Sequence, residues 1–161
     1  TLDDVESLRY TRAVVDESLR LHPPAWLISR RSLAADELGG YRIPEGTVVI
    51  ISPTLVHRDP ARWPDPERFD PERFLGARQE EVDRRSYLPF GAGPRLCIGR
   101  DFALLEATVL LARLAARFTV TPLASAGAPA DPAREPAGGL AVHRGVTGRP
   151  AGGLPAYVRP T

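Results

Sequence analysis

With 161 residues, and 21 basic against 20 acidic side chains for a net charge of +1, the chain can bury one core and has no electrostatic reason to bind nucleic acid or an anionic membrane. Its one cysteine cannot close an internal disulfide, which suits a reducing compartment. No apolar run reaches membrane-spanning length and no signal peptide opens the chain.

Leu8, Val15 and Leu19 fall at helical spacing among charged neighbours, predicting an amphipathic helix. It stops before Pro23-Pro24, because proline disfavours helix at the residue preceding it. GGYRIPEG and TVVIIS, joined by a Pro-Glu-Gly turn, read as two short strands paired with each other. Residues 59–89 are rich in proline and charge, predicting a wandering segment built of turns. Its repeated PERF is a local duplication. Ile98, Phe102, Leu105, Val109, Ala112 and Ala116 then step through a long helix apolar almost all round, the pattern of a helix enclosed by protein. Weak strands are expected near Leu140–Val142 and Ala156–Val158.

Chemistry concentrates in FGAGPRLCIG, from Phe90 to Gly99. Gly91, Gly93 and Gly99 let the backbone turn tightly and approach a flat partner. Cys97 is expected at a helix start, where free N–H groups and the helix dipole favour a thiolate. Arg95 offers a planar cation for a carboxylate or phosphate. An axial thiolate, room for a ring, an apolar wall and a cation are what an iron porphyrin needs. The competing reading of Cys97 is a free cysteine packed as a small hydrophobe. Glu17 and Arg20, three apart, share a helical face, and by themselves make a solvated ion pair. His22, His57 and His143 lack the spacing of a metal site and read as structural or solvated. Trp63 reads as packing.

Phe90, Gly93, Arg95, Cys97 and Gly99 together resemble the heme-binding loop of the cytochrome P450 family, aromatic-x-x-Gly-x-Arg-x-Cys-x-Gly. Glu17 and Arg20 resemble the family's Glu-x-x-Arg pair, whose partner in the proline-rich segment matches Arg73, with Arg68 of the first PERF copy as competitor. The resemblance implies a mainly α fold with small β sheets, the carboxy-terminal part of the cytochrome P450 fold. It reads residues 1–161 as a single partial domain and the tail of a longer protein, in keeping with the absence of methionine. The cofactor implied is heme b (iron protoporphyrin IX). Cys97 would be the proximal thiolate and metal ligand, with Phe90 beside the sulfur. Gly91, Gly93, Ile98, Gly99 and Ala103 would lie along the porphyrin, and Arg95 and Arg30 would clamp its propionates. Arg31 reads as a surface arginine. Glu17, Arg20 and Arg73 would be structural, locking the proline-rich segment over the thiolate side.

Ala25 and Leu27 match a strand that borders the substrate pocket, and would equally suit a core strand; Val146 and Thr147 are candidates for a second pocket wall. The family's oxygen-activating helix would lie before residue 1, so the piece alone is expected to hold heme loosely and to turn nothing over. The activity implied is a monooxygenase acting on an apolar small molecule of terpenoid or fatty-acid type, supplied with electrons by a ferredoxin or flavoprotein. Two alternatives are a non-catalytic or truncated heme-binding protein, and a peroxygenase or isomerase using the same thiolate. Arginine as the sole basic residue, with abundant alanine and proline, suggests a GC-rich bacterial source and a cytoplasmic location.

Overall fold

A computed structural model describes residues 3–83, 85–122, 142–145, 147–150 and 156–161. The first helix, α1 (Asp3–Ser7), breaks at Leu8, and α2 (Arg9–Leu21) follows. It ends where the His22 amide donates to the Ser18 carbonyl at 2.8 Å, directly ahead of the two prolines. Its buried residues are Ala13, Asp16, Glu17, Arg20 and Leu21, spaced as one helical face, and Val15, which the sequence predicted. Leu8 and Leu19, which the sequence suggested for that face, are only half-buried. The reason is that α2 packs against a segment rich in backbone carbonyls, and those carbonyls reward a charged donor more than a methyl group.

The two predicted strands exist but do not pair with each other. Tyr41–Ile43 (β3) pairs antiparallel with Asp36–Leu38 (β2) around a Gly39-Gly40 turn. Val48–Ile51 (β4) reaches back to pair with Ile28–Arg31 (β1), Ile28 opposite Ile51. The two-residue glycine turn closes the nearer hairpin first, and this leaves β4 for the earlier partner. A short helix, α3 (Pro53–Val56), starts on Ser52, whose hydroxyl accepts from the Leu55 amide at 3.4 Å, with proline in its first turn.

Residues 59–89 are mostly turns, as their proline content predicts, but they hold two short regular pieces. A 3-10 turn spans Pro71–Phe74, capped by the Asp70 side chain, and α4 spans Gly76–Glu81. This segment and α2 enclose the described core. Ala13, Trp63 and Phe74 form its centre, with Leu75, Val82 and Tyr87 against them. The rings of Phe74 and Tyr87 lie 5.0 Å apart, within the range of favourable tilted aromatic pairs.

The long predicted helix, α5 (Arg100–Ala115), is present and lies against α2. Only Leu104 and Thr108 are buried, while Phe102, Leu105, Leu110 and Leu114 are exposed. The expectation of a fully enclosed helix therefore fails within this chain: α5 has apolar side chains on more faces than α2 can cover. Phe118–Pro122 (β5) pairs with Ala156–Pro160 (β8), and Val142–Arg144 (β6) with Gly148–Pro150 (β7). The strand expected at Leu140–Val142 thus starts at Val142, Leu140 being outside the described residues, and the one at Ala156–Val158 runs two residues further. The β6–β7 hairpin is tied to the stretch after the double proline. The Gly148 amide donates to the Pro24 carbonyl at 2.8 Å and the Trp26 indole to the Gly145 carbonyl at 3.0 Å. No described helix is long and apolar enough to cross a membrane.

Candidate functional site

Arg20 is fully buried and uses its whole guanidinium. Nε and Nη2 donate to the two Glu17 oxygens at 2.6 and 2.8 Å, a two-point charge-assisted pair. Nη1 donates to the carbonyls of His57 and Pro66, both at 2.7 Å, and Nη2 also to that of Arg68 at 3.1 Å. The guanidinium carbon stands 5.3 Å from the centre of the Trp63 ring, a cation–π distance. Glu17, equally buried, accepts the Asp70 amide at 2.8 Å and faces Arg73 Nε at 3.5 Å. Arg73 anchors through Nη2 to the Asp65 carbonyl at 2.8 Å, and its Nε has no hydrogen-bond partner. Burial pulls the Arg73 pKa below its usual value, against the opposing pull of Glu17. Arg68, the other sequence candidate, supplies its carbonyl; its exposed side chain is not in the network.

His57 sits beside this pair, wholly buried. Its Nδ1 is 2.9 Å from the Arg20 carbonyl, and its Nε2 accepts the Leu88 amide at 2.8 Å. Burial lowers its pKa to about 4, with Arg20 and Arg58 adding repulsion. Next along, Tyr87 donates its hydroxyl to the Asp16 side chain and carbonyl, both at 3.0 Å. Burial raises the pKa of Tyr87, with Asp16 adding to the effect, and burial likewise raises that of Asp16 against the nearby Arg12. Sequence reasoning missed His57 and Tyr87 as members of this support. Their partners lie 31 to 71 residues away, and no local spacing signals such contacts.

The cysteine loop grows directly out of this support. Gly91 donates to the Leu88 carbonyl at 3.1 Å, Leu96 to Gly93 at 3.0 Å, and the Cys97 amide to the Phe90 carbonyl at 3.0 Å. Gly91 and Gly93 have φ of 76° and 69°, a region in which a Cβ is strained. Cys97 is exposed and lies two residues before Gly99, the cap of α5. The sulfur stands 3.9 Å from where a Cβ on that cap residue would be, so it lies just in front of the helix N-terminus, the end at which the dipole favours negative charge. Ile98, next in the chain to Cys97, is fully exposed, and Phe102 in the first turn of α5 is 70% exposed. Ala103 and Phe90 are half-buried.

Strand β1 reaches the same loop. A Cβ on Gly91 would stand 3.7 Å from Ile28 Cδ1, and Arg30 shares the half-buried strand face with Ile28. Arg31 points the other way, its guanidinium 4.0 Å from where a Cβ on Gly46 would be. Among the described residues neither Arg30 nor Arg95 meets a carboxylate; Arg30 donates only to the Ser29 carbonyl at 2.9 Å. Ala25 is half-buried, Leu27 is 40% exposed, and Thr147 is exposed; Val146 is outside the described residues. A cleft of about 770 Å³ runs between α2 and the loop, lined by Arg12, Asp16, Tyr87, Leu88, Leu96 and Arg100. The loop residues Gly91 and Ala92 also border this cleft, and Cys97 is not among its lining residues. An accessible sulfur, uncovered apolar side chains and two arginines without acidic partners match what a flat apolar ring bearing carboxylates requires.

The cytochrome P450 family model matches residues 1–144. The chain is 49% identical over 123 residues to cyclooctat-9-en-7-ol 5-monooxygenase of Streptomyces melanosporofaciens, covering 76% of this chain and 27% of that protein. It is 52% identical over 120 residues to cyclooctatin synthase of the same organism, covering 74% of this chain and 26% of that protein. A crystal structure of the cytochrome P450DA heme domain superposes with a TM-score of 0.86 at 29% identity, over the whole of this chain and 33% of that one. The chain thus spans about a quarter of the length of the curated relatives it matches.

Proposed function

The chain belongs to the cytochrome P450 family, and on that footing we propose that it is the heme-anchoring part of a heme-thiolate monooxygenase acting on an apolar small molecule. The observation that carries the reading is the accessible Cys97 sulfur on a loop whose backbone is pinned at Phe90, Gly93 and Leu88. Heme b, when bound, supplies the redox centre at which dioxygen is activated. The chain's own residues do the holding. Cys97 would ligate, and the hydrogen bond that its amide donates to the Phe90 carbonyl fixes the backbone from which the sulfur projects. Ile98, Gly99 and Ala103 lie along the ring, and Gly91 and Gly93 keep the loop backbone close to it. Arg30 and Arg95 take the propionates, which explains two arginines that meet no carboxylate among the described residues. Glu17, Arg20 and Arg73 hold the proline-rich segment behind the loop.

Ala25 and Leu27, whose chain neighbours Pro24 and Trp26 bond to the β6–β7 hairpin, form one wall for the substrate, and Thr147 of that hairpin contributes to a second. The name of one relative, a monooxygenase of cyclooctat-9-en-7-ol, favours a terpenoid over a fatty acid. Electrons come from a ferredoxin or flavoprotein, and a reducing cytoplasm suits a free cysteine. The test is the carbon monoxide difference spectrum of the reduced full-length protein. A strongly red-shifted Soret band is expected, and it should vanish in Cys97→Ser. An unchanged band in that variant overturns the reading.

A further inference from the structure

We propose that His57 is a positioning residue for Cys97, a two-ended strut that ties the buried Glu17–Arg20 pair to the base of the cysteine loop. The inference rests on Cys97 being the heme ligand. It starts from an assignment of ring protons. The Arg20 carbonyl, 2.9 Å from Nδ1, can only accept, and the Leu88 amide, 2.8 Å from Nε2, can only donate. One form of the side chain satisfies both: the neutral imidazole with its proton on Nδ1. The same residue's carbonyl takes Arg20 Nη1 at 2.7 Å, so His57 is fixed to α2 from two sides.

From Leu88 the connection runs on into the loop. The Leu88 carbonyl accepts Gly91, and two residues after Leu88 the Phe90 carbonyl accepts the Cys97 amide. Three hydrogen-bonded links therefore separate the buried ion pair from the backbone of the sulfur-bearing residue. The Tyr87 and Trp63 rings, 5.6 and 6.3 Å away, wall the imidazole off from water. The charged and titratable groups around it are Arg20 with its partner Glu17 on α2, Arg58 next in the chain, and Tyr87 backed by Asp16. The two arginines oppose a positive imidazole. Protonation would place a donor on Nε2 against the Leu88 N–H, so the strut would break at the end that faces the loop. Burial holds the pKa near 4, against an ordinary 6.5, which sets the window for that break.

The experiment follows the thiolate-type carbon monoxide band of the reduced, heme-loaded full-length protein from pH 7 to about pH 3. His57→Gln can still donate to one backbone group and accept from the other, but cannot take up a proton; His57→Phe can do neither. At pH 7 the Gln variant should keep the band, and the Phe variant should lose it about tenfold, the cost of a buried amide left without a partner. As the pH falls towards 4, the wild type should lose the band while the Gln variant holds it about one pH unit further. A Phe variant with the wild-type band, or a Gln variant that fails in step with the wild type, overturns the proposal. Should the Phe variant not fold, the acid comparison decides alone. A wild type without the band at pH 7 sinks the reading of Cys97 and this inference together. A wild-type band that Cys97→Ser abolishes leaves the His57 arms as the sole test.

Discussion

Arg20, in the buried support, and Arg95, on the cysteine loop, are treated in opposite ways. Arg20 has every donor committed to Glu17 or to a carbonyl, without any exposure. Arg95 is exposed and meets no carboxylate among the described residues. The same contrast holds for the apolar groups: Trp63 and Phe74 are buried, while Ile98 and Phe102 stand open. The region behind the loop is complete in itself, and the region in front offers its contacts outward. A binding site needs this division, because a ligand geometry is only as exact as the rigid support beneath it.

The largest expected effect tests whether the support is as complete as it looks. Glu17→Ala leaves the Arg20 guanidinium buried without its counter-charge, and should cost about 3–5 kcal/mol in denaturant unfolding of the full-length protein. Replacing both by apolar residues of similar size should cost clearly less than the two single changes added together. Additive losses would mean that the two side chains act separately, and the contrast with Arg95 would lose its basis.

Acid is the second probe. The folded pKa of His57 is depressed, so its contribution to stability is present above the unfolded value of 6.5 and is lost as the pH falls towards about 4. The loss, complete below that value, should approach roughly 3 kcal/mol. Unfolding midpoints measured from pH 7 to pH 4 should converge for the wild type and His57→Gln only at the neutral end. Parallel curves would remove the histidine from the support.

A smaller effect separates the two PERF copies. Arg73→Ala should cost about 1–3 kcal/mol through loss of its contact with Glu17 and of its bond to the Asp65 carbonyl. Arg68→Ala should stay within about 0.5 kcal/mol, because only its backbone is used. Thermal unfolding of the two variants decides between them, and equal losses would show that the guanidinium at 68 has a role its exposure does not suggest.

This pair shows what the sequence can carry. Glu17 and Arg20 are three apart, so a helix alone makes them neighbours, and the cysteine loop is legible because its glycines, arginine and sulfur fall within ten residues. The remaining support is built across distance. His57 meets Arg20 over 37 residues and Leu88 over 31, and Tyr87 meets Asp16 over 71. Nothing in local spacing announces these bonds. Strand pairing failed for a related reason: adjacency in sequence suggested β3 with β4, but a tighter turn had already claimed β3. The apolar count of α5 was read correctly, yet burial depends on neighbours, and α2 covers only one of its faces.

The smallest effects come from three glycines that look alike in the sequence. Gly91 and Gly93 hold positive φ, so alanine at either should cost about 1–2 kcal/mol of apoprotein stability, with Gly93 isolating the backbone penalty because a Cβ there meets nothing within 4 Å. Gly99 has φ of −87°, and a Cβ there would sit 3.9 Å from the Cys97 sulfur, an ordinary contact. Gly99→Ala should therefore leave apoprotein unfolding within about 0.5 kcal/mol of wild type while lowering heme content per chain after reconstitution. The chain alone does not require glycine at 99; a flat partner laid against the sulfur would. If Gly99→Ala loaded heme fully, close approach at that position would not be needed, and the outward face would be less demanding than the support behind it.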